Sequence, residues 1–312
     1  MKLLTAFIRL VRWPNLVFIG LTQALFVYCI VKPIFNESPL QPNVHGLNFV
    51  LISLSSILIA AAGYIINDYF DLNIDLVNKP DKLIIDKVIK RRWAILWHIV
   101  LSAAGIAIGF YIDFTSKIWL LGLSNIICVA VLFVYSTTFK RRLLIGNILI
   151  SLLTAWVILV VAWCEYNHLI HLKNGLHAEK ILRETFLYAG FAFIISLVRE
   201  VVKDMEDVEG DRRYGCTTMP IAWGINSTKV FVAVWLIVLI AVLIVVQVYA
   251  MRLEWYWSVA YCIAAIIVPL LWIFRKLFTA KSPADYHKLS TAIKLVMFAG
   301  ILSMIFFRIY RM

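Results

Sequence analysis

Nine long runs of apolar residues divide this sequence, and each is close to the length that a helix needs to cross a lipid bilayer. A crossing takes about 20 residues. Most of the charged residues lie in the segments between the runs. We therefore predict an all-α, polytopic membrane protein whose nine transmembrane helices form a single domain over residues 1–312. The predicted spans are Leu16–Val31, Leu47–Ile66, Trp93–Ile112, Ile118–Thr137, Leu143–Cys164, Ile181–Val198, Val230–Met251, Trp255–Phe274 and Thr291–Phe307.

The overall composition excludes several other classes of protein. Hydrophobic residues make up 62% of the chain and charged residues only 15%, which is too apolar for a soluble domain. The formal net charge of +12 does not indicate nucleic-acid binding, because basic residues between apolar spans typically face anionic lipid headgroups. The five cysteines include no CxxC pair, so the sequence predicts neither a disulfide framework nor a thiolate metal site.

The distribution of basic residues predicts the orientation of the spans. Segments on the side of the N-terminus carry 22 of the 30 Lys and Arg residues, and segments on the opposite side carry 8. Cytoplasmic loops of membrane proteins are enriched in these residues. The count therefore predicts a cytoplasmic N-terminus and an external C-terminus, although Arg308 and Arg311 lie on the side that is poorer in positive charge.

Two acidic motifs interrupt this apolar pattern, each at the end of an even-numbered span. The first motif consists of Asn67, Asp68, Asp71 and Asp75. On a helix these four residues would lie on one face, at about 0°, 100°, 40° and 80° in that order. The second motif consists of Glu200, Asp204, Asp207 and Asp211. On one continuous helix these would form a single stripe, at about −40°, 0°, −60° and −20° in that order. Clustered carboxylates repel one another, and a hard divalent cation with oxygen ligands relieves that repulsion. One such cluster can be a solvated helix end, whereas two suggest half-sites around one metal-bound anion.

The two motifs and their flanking residues resemble those of a known family. Asn67-Asp68-x-x-Asp71-x-x-x-Asp75 and Asp204-x-x-Asp207-x-x-x-Asp211 look like the two aspartate-rich motifs of the UbiA superfamily of intramembrane prenyltransferases. The resemblance extends over nearly the whole chain. It includes Asn78-Lys79-Pro80-Asp81-Lys82, Tyr135-Ser136, Lys140-Arg141 and Arg199-Glu200 with Lys203-Asp204.

This resemblance implies transfer of a prenyl group from an allylic diphosphate to a lipophilic acceptor, with release of diphosphate. Mg²⁺ and cationic side chains lower the barrier by neutralising the charge that develops on the leaving group. We expect two Mg²⁺ ions, one held by Asn67, Asp71 and Asp75 and the other by Asp207 and Asp211. Asp68 and Asp204 are expected either as further ligands or as acceptors that orient lysines.

Candidate catalytic residues are Asp71, Asp207, Lys140 and Tyr135, and the ring of Tyr135 would face the allylic cation. Tyr135 could equally be an interfacial aromatic residue at the end of a span. Candidate diphosphate-binding residues carry an amide or a positive charge, and the resemblance singles out the loop lysines and Lys140 among them. They are Asn67, Lys79, Lys82, Lys140, Arg141, Arg199, Lys203 and Arg212.

The acceptor is suggested by resemblance alone. Within the superfamily, the motifs look most like those of the geranylgeranylglycerol-phosphate geranylgeranyltransferase branch. Enzymes that prenylate 4-hydroxybenzoate, homogentisate, naphthoate or a chlorophyll precursor share the same core, so an aromatic acceptor remains the alternative.

An ion-coupled transporter is the alternative from another class. Transporter carboxylates usually lie near the bilayer midplane at broken helices, whereas here both motifs lie at span ends on one side. This placement favours an enzyme. The Asp-Gly-x-x-Ala-Arg motif of CDP-alcohol phosphotransferases is missing from the sequence, and the apolar spans exclude a soluble terpenoid synthase.

Overall fold

The computed structural model describes residues 2–36, 41–78, 83–116, 118–171 and 175–310. Helices account for nearly all of them. The long helices are α2 (Trp13–Phe35), α3 (Gly46–Asn78), α4 (Arg91–Ser116), α5 (Leu121–Thr137), α6 (Ile145–His171), α7 (Gly175–Glu206), α10 (Ile225–Arg252), α11 (Tyr256–Thr279) and α12 (Pro283–Tyr310). Shorter helices are α1 (Lys2–Leu10), α8 (Val208–Arg213) and α9 (Met219–Ala222).

Each of the nine predicted spans overlaps one long helix. Among the described residues, eight helices are long and apolar enough to cross a membrane, and α5 is shorter, with 17 residues. Helix α5 begins three residues later than predicted because Asp113 caps its start, accepting hydrogen bonds from the backbone nitrogens of Leu121 at 2.9 Å and Gly122 at 2.8 Å. The chain is therefore an integral, multi-pass membrane protein.

The outer surface of the bundle is apolar, as α10 shows clearly. Leu236, Leu239 and Leu243 are buried along one side of this helix, whereas Val234 and Val245 are exposed. Exposed aliphatic side chains on long helices are expected where lipid rather than water surrounds the protein.

Small and polar residues bring neighbouring helices close together inside the bundle. The hydroxyl of Ser55 on α3 donates to the carbonyl of Gly105 on α4 at 2.8 Å, and the amide of Asn125 on α5 donates to Ser55 at 2.9 Å. A Cβ added at Gly109 would lie 2.4 Å from the Asn125 amide nitrogen. Close approach and interhelical hydrogen bonds of this kind replace the hydrophobic driving force that lipid cannot supply. They fix α3, α4 and α5 as one wall of the bundle.

Candidate active site

The first acidic motif lies on an unbroken stretch of α3, which remains helical as far as Asn78. All four of its residues line a single large cavity. Asp71 is 4% exposed, and its Oδ2 accepts a hydrogen bond from the amide of Asn67 at 2.7 Å. The other polar atom of that amide, Asn67 Oδ1, is buried and makes no hydrogen bond. An oxygen acceptor is thus left in the cavity wall beside a carboxylate.

Cations reach the first motif from two other parts of the chain. Lys140, in the turn between α5 and α6, forms an ion pair with Asp71. Arg12, at the junction of α1 and α2, forms an ion pair with Asp68 at 2.5 Å. Burial lowers the pKa of both cations, but the neighbouring carboxylates outweigh burial and leave each pKa well above its ordinary value. Both side chains therefore remain charged at neutral pH.

The Lys140 turn is held in place by the segment that follows the second motif. Thr217 donates from its backbone nitrogen at 2.8 Å and from its hydroxyl at 3.1 Å to the carbonyl oxygen of Arg141. Gly146 lies behind the turn, where an added Cβ would lie 2.8 Å from the Phe139 carbonyl oxygen. Lys140 is thus positioned by contacts that no local pattern in the sequence reveals.

The second acidic motif does not lie on one continuous helix, and the prediction of a single helical stripe was wrong in this respect. Helix α7 ends at Glu206, and the dihedral angles of Asp207 (φ −96°, ψ 7°) separate it from α8. Asn78 explains the break, because its Oδ1 accepts from the Gly210 backbone nitrogen at 2.9 Å and its Nδ2 donates to the Asp207 carbonyl at 3.1 Å. A side chain at Gly210 would lie only 2.4 Å from Asn78. Asn78 therefore joins the two motifs directly.

Within the second motif, Asp204 and Glu200 have different kinds of partner. Asp204 accepts a hydrogen bond from the amide of Asn147 at 2.8 Å. Glu200 pairs with Arg199 at 2.9 Å and with Lys203 at 3.1 Å. We expected Asp68 and Asp204 to orient lysines if they did not bind metal, but their partners are an arginine and an amide.

The cavity that both motifs line has a volume of about 1270 Å³. This exceeds the range of about 300–1,000 Å³ that is typical of sites for drug-sized ligands. Its lining on α3 extends from Asn78 to Ser56, which corresponds to about 33 Å of helix at about 1.5 Å per residue. One end is lined by the two motifs and their cations, and the other by apolar side chains such as Leu153, Phe191 and Met304. The shape and polarity fit amphiphiles with a charged head and a long apolar tail.

The structure gathers most, though not all, of the predicted site residues around this cavity. The lining includes Asn67, Asp68, Asp71, Asp75, Tyr135, Lys140, Arg199, Lys203, Asp204, Asp207 and Asp211. Arg141 and Arg212 are exposed and do not line it. Lys79 and Lys82 lie outside the residues that the structure describes.

Sequence reasoning missed several residues that shape the site. Arg12 and Lys294 enter the sequence analysis only through the count of basic residues that predicts the orientation, yet both line the cavity. Asn147 is not predicted as a site residue, because a single amide on an apolar helix forms no motif. Asn78 belongs to the family resemblance, but the sequence predicts no role for it in the site.

The donor set around the cavity suits magnesium. Among the residues that the structure describes, no three acidic, histidine or cysteine side chains form a ready-made metal cage. Mg²⁺ is usually bound through one or two carboxylates, with phosphate oxygens and water completing the octahedron. Carboxylates on two facing elements and the unpartnered oxygen of Asn67 match this preference.

Comparison with known proteins gives a consistent result. The model of the UbiA prenyltransferase family matches residues 17–301. Digeranylgeranylglyceryl phosphate synthase of Methanosphaera stadtmanae is 28% identical over 265 residues, which cover 83% of this chain and 88% of that enzyme. The enzyme of the same name from Methanothermobacter thermautotrophicus is 34% identical over 190 residues, covering 60% of this chain and 61% of that enzyme.

Solved structures show the same fold. A structure described as giving insights into digeranylgeranylglyceryl phosphate synthase in membranes superposes with a TM-score of 0.61 at 22% identity, covering 98% of this chain and 99% of that one. A UbiA homologue from Archaeoglobus fulgidus, bound to GPP and Mg²⁺, superposes with a TM-score of 0.57 at 17% identity, covering 96% of this chain and 99% of that one.

Proposed function

This chain belongs to the UbiA prenyltransferase family, and we propose that it transfers a geranylgeranyl group from geranylgeranyl diphosphate to geranylgeranylglyceryl phosphate. The observation that carries this proposal is the single cavity in which both acidic motifs meet a long apolar chamber. The relatives named digeranylgeranylglyceryl phosphate synthase support the choice of acceptor.

The reaction exchanges one carbon–oxygen bond for another. The bond between C1 of the prenyl chain and the diphosphate oxygen breaks, and the diphosphate leaves with the electron pair. A hydroxyl oxygen of the acceptor forms the new bond to C1, and its proton passes to water at the polar end of the cavity. The apolar chamber holds the prenyl tail and keeps water from competing with the acceptor for C1.

The polar end binds the diphosphate. Asn67, Asp71 and Asp75 would hold one Mg²⁺ ion and Asp207 and Asp211 a second, following the oxygen-donor preference of this metal. When bound, these ions neutralise the charge that accumulates on the leaving group. Lys140 adds a fixed positive charge at the same place, and its interaction with the diphosphate strengthens as the C1–O bond breaks. Its ion pair with Asp71 keeps it in position before substrate arrives.

Tyr135 lines the cavity together with Lys140. We propose that its ring faces the developing allylic cation, because the face of an aromatic ring is negatively polarised. The ring would stabilise positive charge on the prenyl chain while Lys140 stabilises negative charge on the diphosphate. Opposite charges of the separating pair would thus be matched by two residues close in sequence.

Product analysis tests the proposed function. Purified full-length protein is supplied with geranylgeranyl diphosphate, Mg²⁺ and a panel of acceptors that includes geranylgeranylglyceryl phosphate, 4-hydroxybenzoate, homogentisate and a naphthoate. We expect one prenylated product, from the glyceryl phosphate, and no product when EDTA removes the metal. A prenylated aromatic product in its place would reassign the acceptor, and turnover in EDTA would contradict the metal requirement.

We also propose that the N-terminus and the polar end of the cavity face the cytoplasm, as the excess of basic residues on that side indicates. Exposed residues at the two ends of the bundle allow a labelling test, namely Arg212 beside the second motif and Thr115 near the end of α4. A membrane-impermeant maleimide added to intact cells should modify the Thr115→Cys variant and spare Arg212→Cys. Four of the five native cysteines are buried, which keeps the background low. The opposite labelling pattern would invert the orientation.

A further inference from the structure

Three cationic side chains that line the cavity come from separate elements of the fold. Arg12 comes from the junction of α1 and α2, Arg199 from α7 and Lys294 from α12, and all three line the cavity. Asn15 accepts a hydrogen bond from Lys294 at 2.9 Å and donates its backbone nitrogen to the Arg12 carbonyl oxygen at 2.8 Å, so Lys294 is held beside the segment that carries Arg12. We call these residues the cationic wall. Asp68 pairs with Arg12 and Glu200 with Arg199, whereas the polar contact of Lys294 among the described residues is a neutral amide, so its charge is the one that a ligand would offset.

The hydrogen bonds of the cationic wall leave it able to take a further anion. Lys294 donates to the neutral amide oxygen of Asn15 at 2.9 Å. One guanidinium nitrogen of Arg199 contacts Glu200, but its Nε–H is buried and has no acceptor. A buried donor on a charged group that has no acceptor is unfavourable, because it has lost its hydrogen bonds to water. An anionic ligand with several oxygen atoms would satisfy this donor and offset the charge of Lys294.

The cationic wall is separate from the lysine that we assign to the diphosphate. Asp68 and Asp71 are about 60° apart around α3. Arg12 reaches α3 through Asp68, whereas Lys140 reaches it through Asp71. The first motif is thus flanked by one positive group on each side, which suits a reaction between two substrates that both carry phosphate.

We propose that the cationic wall binds the phosphate monoester of the acceptor lipid. A phosphate monoester carries about −1.5 to −2 charge at neutral pH and offers three strong acceptor oxygens. Two guanidinium groups and an ammonium group match that charge, and arginine binds phosphate oxygens through two parallel hydrogen bonds. The inference rests on the proposed function, since it assigns residues to the acceptor named there. It makes the phosphate, rather than the acceptor tail, the basis of selectivity.

Lys294 is the residue to change, because Arg12 is tied to the first motif and Arg199 to the second. Lys294→Met keeps the length of the side chain and removes its charge. Lys288 provides the matched control, since it lies on the same helix but is exposed and outside the cavity lining. Lys294→Arg tests whether positive charge alone suffices. Melting temperatures of all variants confirm that they are folded.

The kinetic test uses full-length protein, geranylgeranyl diphosphate and two acceptors, geranylgeranylglyceryl phosphate and the uncharged geranylgeranylglycerol. For Lys294→Met we expect the KM of the phosphate acceptor to rise about 10- to 100-fold, because a charge-assisted hydrogen bond is lost. The KM of the diphosphate donor should stay within about threefold of wild type, because Lys294 is assigned to the acceptor and not to the donor. The preference for the phosphate acceptor over the alcohol should fall by the same factor as the acceptor KM rises. Lys288→Met should match wild type, and Lys294→Arg should keep most of the preference.

A binding measurement separates recognition from turnover. In EDTA and without donor, Lys294→Met should bind the radiolabelled phosphate acceptor at least tenfold more weakly than wild type and bind the alcohol equally well. An unchanged affinity, or a change in the donor KM alone, would overturn the role of the cationic wall and leave the proposed function intact. If wild type bound and prenylated an aromatic acceptor but not the glyceryl phosphate, both proposals would fall.

Discussion

The two acidic motifs hold their carboxylates in different ways. In the first motif, Asp68 and Asp71 lie on an unbroken helix and are neutralised by Arg12 and Lys140. In the second motif, the helix breaks at Asp207, and Asp204 is held by the amide of Asn147. The amide of Asn78 braces the break itself.

This difference indicates how each motif meets an incoming diphosphate. Lys140 can transfer its interaction from Asp71 to the diphosphate when metal takes its place, because an ammonium group pairs with either anion through its charge and its freely rotating donors. The amide contacts of the second motif fix orientation through directional hydrogen bonds, and the amides themselves carry no charge. We infer that the first motif exchanges partners during the reaction, whereas the second keeps its shape.

Removal of one carboxylate from each motif should have the largest effect and tests whether the two motifs are equally necessary. We expect Asp71→Asn and Asp207→Asn each to lower kcat by about 1000-fold or more, since a lost metal-binding carboxylate costs several kcal/mol of transition-state stabilisation. Pyrophosphate release in saturating Mg²⁺ measures this. Asp86→Asn is the control, because Asp86 is exposed and does not line the cavity. Activity within a few-fold of wild type in either motif variant would show that one motif suffices.

The second prediction concerns the exchange of partners at Lys140. Lys140→Ala should lower kcat about 100-fold, because a cation stabilises the diphosphate more as its charge grows. Lys140→Arg should recover part of the lost activity because it restores the positive charge. Recovery should be incomplete, since a planar guanidinium replaces a compact ammonium group. Pyrophosphate release with and without acceptor is measured for both variants and for the control Arg142→Ala, which removes an exposed cation from the same turn. Equal release by all of them would mean that these cations only anchor the turn to anionic lipid.

The smallest effect is expected from the amide that holds the second motif. Asn147→Leu should destabilise the protein by about 1–3 kcal/mol, because the partly buried Asp204 loses its hydrogen-bond donor. Thermal unfolding in detergent measures the loss. The double variant Asn147→Leu/Asp204→Leu should recover most of the stability, since replacing both partners by apolar groups is nearly neutral. If Asn147→Leu unfolded at the wild-type temperature, the amide would not be what holds this motif.

Much of the molecule could be predicted from the local pattern of the sequence. The apolar runs located the long helices of the described residues, because a helix of about 20 residues can cross a bilayer with its backbone hydrogen bonds made internally. The 3.6-residue period of the helix placed Asn67, Asp68, Asp71 and Asp75 on one face, where the structure also has them. The same period failed beyond Glu206, because the backbone nitrogen of Gly210 is hydrogen-bonded to Asn78, a residue 132 positions earlier in the chain.

The membrane-spanning architecture and the two sets of carboxylates thus follow from local sequence, since both depend on residues close together along a helix. The partners of those carboxylates depend instead on how the helices pack. The ion pair of Arg12 with Asp68 spans 56 positions, that of Lys140 with Asp71 spans 69, and the contact of Lys294 with Asn15 spans 279. Helical periodicity does not indicate which residues will meet when they are this far apart in sequence. Packing of the helices brings these residues together, and it converts basic residues of the loops and span ends into the walls of a substrate cavity.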